Sequence, residues 1–341
     1  MLSRREMLRA GIVAAGAASL GTMAGFAQDP EANPRQRGQG RGQRQERGQG
    51  QERGQGQERG QGQGLRRVPV ARKGKLGLQL YSLRDECGKG TKEARAMIET
   101  VAKIGYQGVE FYGMGFDNRS KKITGTFGMD AKEIRKLLDD CGIEFCGCHT
   151  GLPLDGQEDW FDAMVEFHHT VGNRFLICPG MGGYTESLEN CRRIADQYNA
   201  LAKKFAKEDL FIGYHAHGGD AVQLEGKTAW EQFFAMTDKE VIQQMDIGNF
   251  RGGGGDPFAL IREFPGRTRT AHIKEHGGPD GAAVGEGEIS WDRAIRLCST
   301  IGGTEWYVIE QESWGRRTPL ESVQVCYDFM KKYDQIFDLK K

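Results

Sequence analysis

Two histidines stand one residue apart in FIGYHAH (211–217), at the end of an apolar run. On a strand, side chains two apart share a face, so His215 and His217 can reach one space. Similar ends recur downstream. Asp246 closes VIQQMD, His272 and Lys274 close RTAHIK, and Glu310 closes EWYVIE. Upstream, Gln79 with Tyr81, Glu110 with Tyr112, and His149 end or follow apolar runs in the same way. Four of the seven histidines fall on such ends. Mixed carboxylate and imidazole donors suit Mn2+, Fe2+, Co2+ or Zn2+. Burying two carboxylates together is costly without a cation between them. Asp246, His272 and Glu310, on three successive runs, therefore predict a divalent metal site.

Such a site needs a frame that brings distant ends together. Eight strand-like runs are read at 75–81, 108–112, 143–148, 174–179, 210–217, 241–246, 269–274 and 305–310. Helical periodicity lies between them, as at 91–104, 131–141, 158–171, 187–206 and 290–301, and a last helix spans about 319–333. Thr91, Asp130, Ser187 and Ser290 are read as helix-starting caps, and Gly105 and Gly142 as helix ends. Strand and helix in eightfold alternation predict an α/β fold, a (β/α)8 TIM barrel, with the site at the C-terminal strand ends. An open doubly wound sheet is the alternative. It calls for a Gly-rich phosphate turn after the first strand, where this chain reads YSLRDE.

The barrel is assigned to residues 74–341. Ahead of it, residues 1–27 pair Arg4–Arg5 with an uncharged Ala/Gly-rich stretch too short to span a bilayer. Ser-Arg-Arg-x-Met-Leu resembles the twin-arginine export signal, which implies periplasmic export of a folded chain, cleaved after Ala27. Residues 28–73 form an Arg/Gly/Gln-rich linker, repeating RGQGQE from Arg47 to Gly62, with too little apolar surface to fold. The whole chain is formally neutral, and the linker carries ten arginines against five acids. The remaining body is acidic, which argues against nucleic acid as a partner. No stable membrane span is expected, and a homo-oligomer is compatible with the sequence. The eight cysteines show no Cys-x-x-Cys pair and sit in apolar segments, with Cys146 and Cys148 on one strand face. They predict buried free thiols.

The set GYHAH, MDIGN, AHIKE, GEGEISW and VIEQE, with GVEFYG and HTG earlier, resembles the sugar phosphate isomerase/epimerase family of xylose-isomerase-like barrels over nearly all of 75–337. That resemblance implies a divalent cation, Mn2+ first among Fe2+, Co2+ and Zn2+, held by an acid on strand five, Asp on six, His on seven and Glu on eight. Asp246, His272 and Glu310 match the last three. Strand five departs, offering His215 and His217. His215 is taken as the ligand and His217 as the proton-transfer group, with the reverse assignment open.

Relatives of this kind move protons beside a carbonyl of a small carbohydrate, in isomerisation, epimerisation or elimination. Glu310 is a second proton acceptor, and Lys274 would hold developing negative charge. Glu110, His149, Tyr81, Glu286 and Trp314 are expected to contact substrate. The VGEGEIS loop around Glu286 is expected as a lid, RGGGGD (251–256) as mobile backbone, and Trp291, Trp306 and Trp314 as stacking surfaces. Export disfavours phosphosugars, so the expected substrate is an unphosphorylated sugar, keto-sugar or glycoside. A catalytically silent sugar-binding barrel and an abasic-site endonuclease-like hydrolase are the rival readings.

Overall fold

The computed structural model describes residues 73–154, 156–337 and 339. The export signal, and the linker up to residue 72, lie outside the described residues. Eight parallel strands pair in sequence order: β1 Lys75–Gln79, β2 Gly108–Asp117, β3 Glu144–Thr150, β4 Phe175–Cys178, β5 Phe211–His215, β6 Ile242–Asp246, β7 Thr270–Ile273 and β8 Trp306–Ile309. β1 pairs with both β2 and β8, which closes the sheet into a barrel.

A helix follows each strand: α1 Thr91–Ile104, α2 Ala131–Cys141, α3 Glu158–Val171, α4 Leu188–Ala206, α5 Ala229–Met236, α6 Pro257–Glu263, α7 Trp291–Leu297 and α8 Pro319–Met330. Local chemistry sets where they start. Asp130 and Glu133 form a reciprocal cap on α2, and Thr318 with Glu321 does the same for α8 behind Pro319. Among the described residues, no helix is long and apolar enough to cross a membrane.

Two apolar layers hold the frame. One lies between sheet and helices, where Leu78, Val109, Leu176 and Ile309 meet Ile98, Leu138 and Phe205. The other fills the barrel's N-terminal end with Cys146, Phe175, Ile177, Ile242, Trp306 and Val308. Trp306 thus plugs the end opposite the strand tips, and is no stacking surface for substrate. All eight cysteines are unpaired, as expected, and only Cys141 is partly exposed.

β3 departs from simple alternation. Val109 pairs with Phe145, but Glu110 pairs with Gly147, so Cys146 is a surplus residue opposite β2. Such a bulge re-aims the side chains beyond it. Cys146 joins the interior cluster, while Cys148 faces outward to His168 on α3, with Sγ 3.7 Å from Nε2. The two thiols therefore do not share a face, and His149 turns inward.

The two glycine-containing loops expected to move are fastened. In RGGGGD a side-chain carbon at Gly253 would overlap the backbone of Gly218, so glycine permits close packing there rather than mobility. Glu275 holds the VGEGEIS loop, accepting from Gly285 N–H at 2.7 Å, Ile289 N–H at 3.1 Å and Trp291 Nε1–H at 2.8 Å. Trp291 is thereby buried under the loop.

Candidate metal centre

Strand register sets the site. His272 pairs with Asp246 across β7 and β6, and His215 pairs with Gln244 across β5 and β6. Glu310 follows β8 directly. His215, Asp246, His272 and Glu310 are all buried, and each offers one donor atom within 4.8 Å of the others. Asp246 Oδ2 lies 3.9 Å from His215 Nε2 and 3.9 Å from His272 Nδ1. Glu310 Oε2 is 3.4 Å from His272 Nδ1.

Those gaps are mostly too wide for hydrogen bonds, and they suit two bonds of about 2.1 Å meeting at one ion. Two atoms of the quartet, Asp246 Oδ2 and His272 Nδ1, are buried without any hydrogen-bond partner. Buried polar atoms are rarely left unsatisfied, and a cation placed between these two would satisfy both at once. The residues fit a divalent metal: two imidazole nitrogens and two carboxylate oxygens, with no net charge once the ion is bound.

The remaining lone pairs are fixed from behind. Asp246 Oδ1 caps the short helix Ile247–Gly252, accepting the Asn249 N–H at 2.7 Å, which leaves Oδ2 aimed inward. His272 Nε2 lies 2.6 Å from Glu110 Oε2, and His215 Nδ1 lies 3.0 Å from Gln244 Oε1. His149 Nε2 meets the same Gln244 oxygen at 2.7 Å. Burial lowers the pKa of His215 well below the usual range, helped by the neighbouring imidazoles of His272, His217 and His149. Burial also raises Asp246 above the ordinary carboxylate range. For Glu310 burial pushes the same way, but Lys274 and His272 outweigh it and hold the group ionised. His272 is depressed by burial yet raised overall to about 10 by Glu110 and Glu310. Without an ion the quartet therefore stores a proton at His272, which a cation would displace.

The other expected residues divide. His217 has its ring 4.6 Å from that of His215, at the mouth, and its backbone N–H is held by Asp220 Oδ2 at 2.6 Å. Desolvation of the ring lowers its pKa to about 4, against the pull of Glu310, although the residue as a whole is exposed. Lys274 sits beside the quartet, Nζ 3.6 Å from Glu310 Oε2, and is also paired with Glu312. Tyr81 and Trp314 flank the guanidinium of Arg84, at 4.6 and 4.7 Å from their ring centres.

Two expected substrate contacts are engaged elsewhere. Glu110 has no exposed surface, and both of its oxygens receive side-chain donors: Gln79 at 2.8 Å, Gln244 at 2.7 Å and His272. It lies behind the donor set and supports it rather than meeting sugar. Glu286 forms a two-pronged pair with Arg317 at 2.6 and 2.8 Å and accepts the Ala283 N–H. His149 is buried on the same wall as Glu110, against Gln244.

Gln244 and Thr270 escaped the sequence reading because they carry no charge. The signal was present in VIQQMD, where Gln244 shares the face of Asp246 two residues on.

A profile of the xylose isomerase-like TIM barrel family matches residues 98–333. An inosose dehydratase of Klebsiella pneumoniae is 21% identical over 267 residues, covering 62% of this chain and 89% of that enzyme. Among solved structures, a sugar phosphate isomerase/epimerase from Parabacteroides distasonis matches with a TM-score of 0.65 at 23% identity, over 76% of this chain and 95% of that one. The IolI protein, solved with a bound zinc atom, matches with a TM-score of 0.56 at 14% identity, over 77% of this chain and 99% of that one.

Proposed function

This chain belongs to the xylose isomerase-like TIM barrel family, and on that premise we propose that it is a divalent-cation-dependent enzyme acting on an unphosphorylated sugar, keto-sugar or glycoside. The reaction is removal of a proton beside a carbonyl, leading to isomerisation, epimerisation or elimination. The observation that carries the reading is the buried His215–Asp246–His272–Glu310 quartet with two unsatisfied atoms aimed at one point. When bound there, a cation supplies Lewis-acid withdrawal of charge from substrate oxygens. Mn2+ is our first choice, with Fe2+, Co2+ and Zn2+ compatible with the same donors.

His217 is the proton acceptor. It is neutral at pH 7, because its pKa is depressed to about 4, and its ring adjoins that of His215. Glu310 is the second candidate, held as carboxylate by Lys274 and His272. Lys274 keeps its ammonium charged and beside Glu310, where it can steady a developing oxyanion. Tyr81 and Trp314 offer ring faces to a sugar, with Arg84 fixed between them. Two observations support an unphosphorylated substrate. The cations Arg84 and Lys274 are already committed to protein partners, Arg84 to Glu312 O at 3.0 Å and Lys274 to two glutamates. Arg4 and Arg5 further suggest export away from the cytoplasm, where phosphosugars are made.

The test is exchange of the proton beside the carbonyl in deuterated water, followed by NMR with Mn2+-loaded protein and a panel of keto and parent sugars. His217→Ala should slow exchange by about 10²–10⁴-fold while leaving about one metal per chain. No exchange with any sugar, or exchange undiminished in H217A, counts against the proposal. Sugar binding without exchange would favour the silent binding barrel.

A further inference from the structure

We infer that Glu110, which touches neither the cation position nor solvent, is the positioning residue that sets which ring nitrogen both imidazole ligands present. The inference rests on the metal reading above and goes beyond it by assigning the tautomers and their common cause.

The argument follows donors and acceptors around the buried network. A carboxylate only accepts, so both oxygens of Glu110 must face hydrogens. Oε2 receives His272 Nε2 at 2.6 Å, and Oε1 receives the Gln244 amide nitrogen at 2.7 Å. The first contact places the proton of His272 on Nε2 and leaves the Nδ1 lone pair facing Asp246 and Glu310. The second fixes the Gln244 amide, whose nitrogen also donates to Thr270 Oγ1 at 2.9 Å. Its oxygen must then face the other way, onto His215 Nδ1 at 3.0 Å and His149 Nε2 at 2.7 Å. An amide oxygen only accepts, so His215 carries its proton on Nδ1 and turns the Nε2 lone pair toward Asp246 Oδ2.

Reversing the amide would set its oxygen against the carboxylate and cost the network several hydrogen bonds at once. Two ligands from different strands thus expose opposite nitrogens, Nε2 from His215 and Nδ1 from His272, and one carboxylate dictates both. Room for that carboxylate comes from Gly147, where a side-chain carbon would lie 2.5 Å from Glu110 Oε1. Fixing the outer nitrogen of a ligating imidazole raises its affinity for metal, and losing such a partner typically costs about 10–100-fold.

The experiment uses the full chain, labelled with ¹⁵N-histidine and loaded with Zn2+ as a diamagnetic probe. Wild-type protein should show a protonated Nδ1 at His215 and a protonated Nε2 at His272. Glu110→Gln should weaken Zn2+ binding by about 10–100-fold and move the His215 Nδ1–H signal, although residue 110 does not touch His215. Gln244→Met should lose the His215 signal while keeping that of His272, and it carries the test alone if E110Q does not fold. The inference fails if wild-type His215 binds Zn2+ through Nδ1. It also fails if E110Q binds within twofold of wild type with the His215 signal unmoved, or if Q244M leaves that signal in place. A wild-type chain that takes up no Zn2+ overturns the metal reading itself.

Discussion

His215 occupies the strand-five position where the family resemblance implies an acid, and the consequence is a matter of charge. Two carboxylates and two neutral imidazoles balance a divalent ion without surplus, and nitrogen donors favour later transition metals over Mg2+. Asp246 carries two duties that substitution can separate. Asp246→Asn keeps an oxygen to cap helix Ile247–Gly252 but loses the charge. It should retain less than about one-tenth of the metal by elemental analysis, with stability little changed. Asp246→Ala should lose the metal and in addition about 1 kcal/mol from the missing cap. Gly147→Ala should destabilise the fold by about 1–3 kcal/mol in urea titrations, because the new methyl meets the Glu110 carboxylate and neither can move away in a packed interior. The ionisable members of the centre were legible in the sequence because residue type and strand-end position coincide there. The supporting Gln244 was not, since a neutral amide in a buried strand gives no sign of its partners until the neighbouring strands are known.

At the scale of elements, periodicity carried almost everything. Each barrel strand lies within two residues of its run except β2, which extends to Asp117 and returns through the short strand Lys122–Thr124. Helices α1, α2 and α3 have the bounds their apolar spacing predicts. The bulge in β3 was illegible, because one surplus residue shows itself only against the partner strand. Helix α3 also carries a buried histidine with no catalytic duty. His168 Nδ1 accepts from Asn173 Nδ2 at 3.1 Å, and burial lowers its pKa from 6.5 to about 3. The unfolded chain takes up this proton below pH 6.5 and the native chain does not, so the difference favours unfolding as pH falls. Stability should therefore decline from about pH 6.5 toward pH 3, with a contribution from His168 of up to about 1.4 kcal/mol per pH unit. Urea midpoints across that range, compared with His168→Gln, check the slope, and the variant should lose about one proton's worth of it.

For the barrel as a whole, function and stability meet because one ion would join β5, β6, β7 and the segment after β8. Such an ion binds the native chain and not the unfolded one. Free Zn2+ at about 100 times its Kd should add about 2.7 kcal/mol, raising Tm by about 5–10 °C over chelated protein. Thermal scans with and without chelator measure the shift, and Asp246→Asn should abolish it. The end opposite the strand tips is packed around Trp306, while His217 and Lys274 adjoin the centre on the side of the strand ends. Were Cys146 instead to pair with Glu110 in regular register, the parity of the third strand would invert beyond it: the imidazole of His149 would swing to the helices, and the thiol of Cys148 would take its seat beside Gln244. A nitrogen-lined wall would become a sulfur-lined one with no residue changed, making the register of one strand, and not only residue identity, a determinant of this cavity's chemistry.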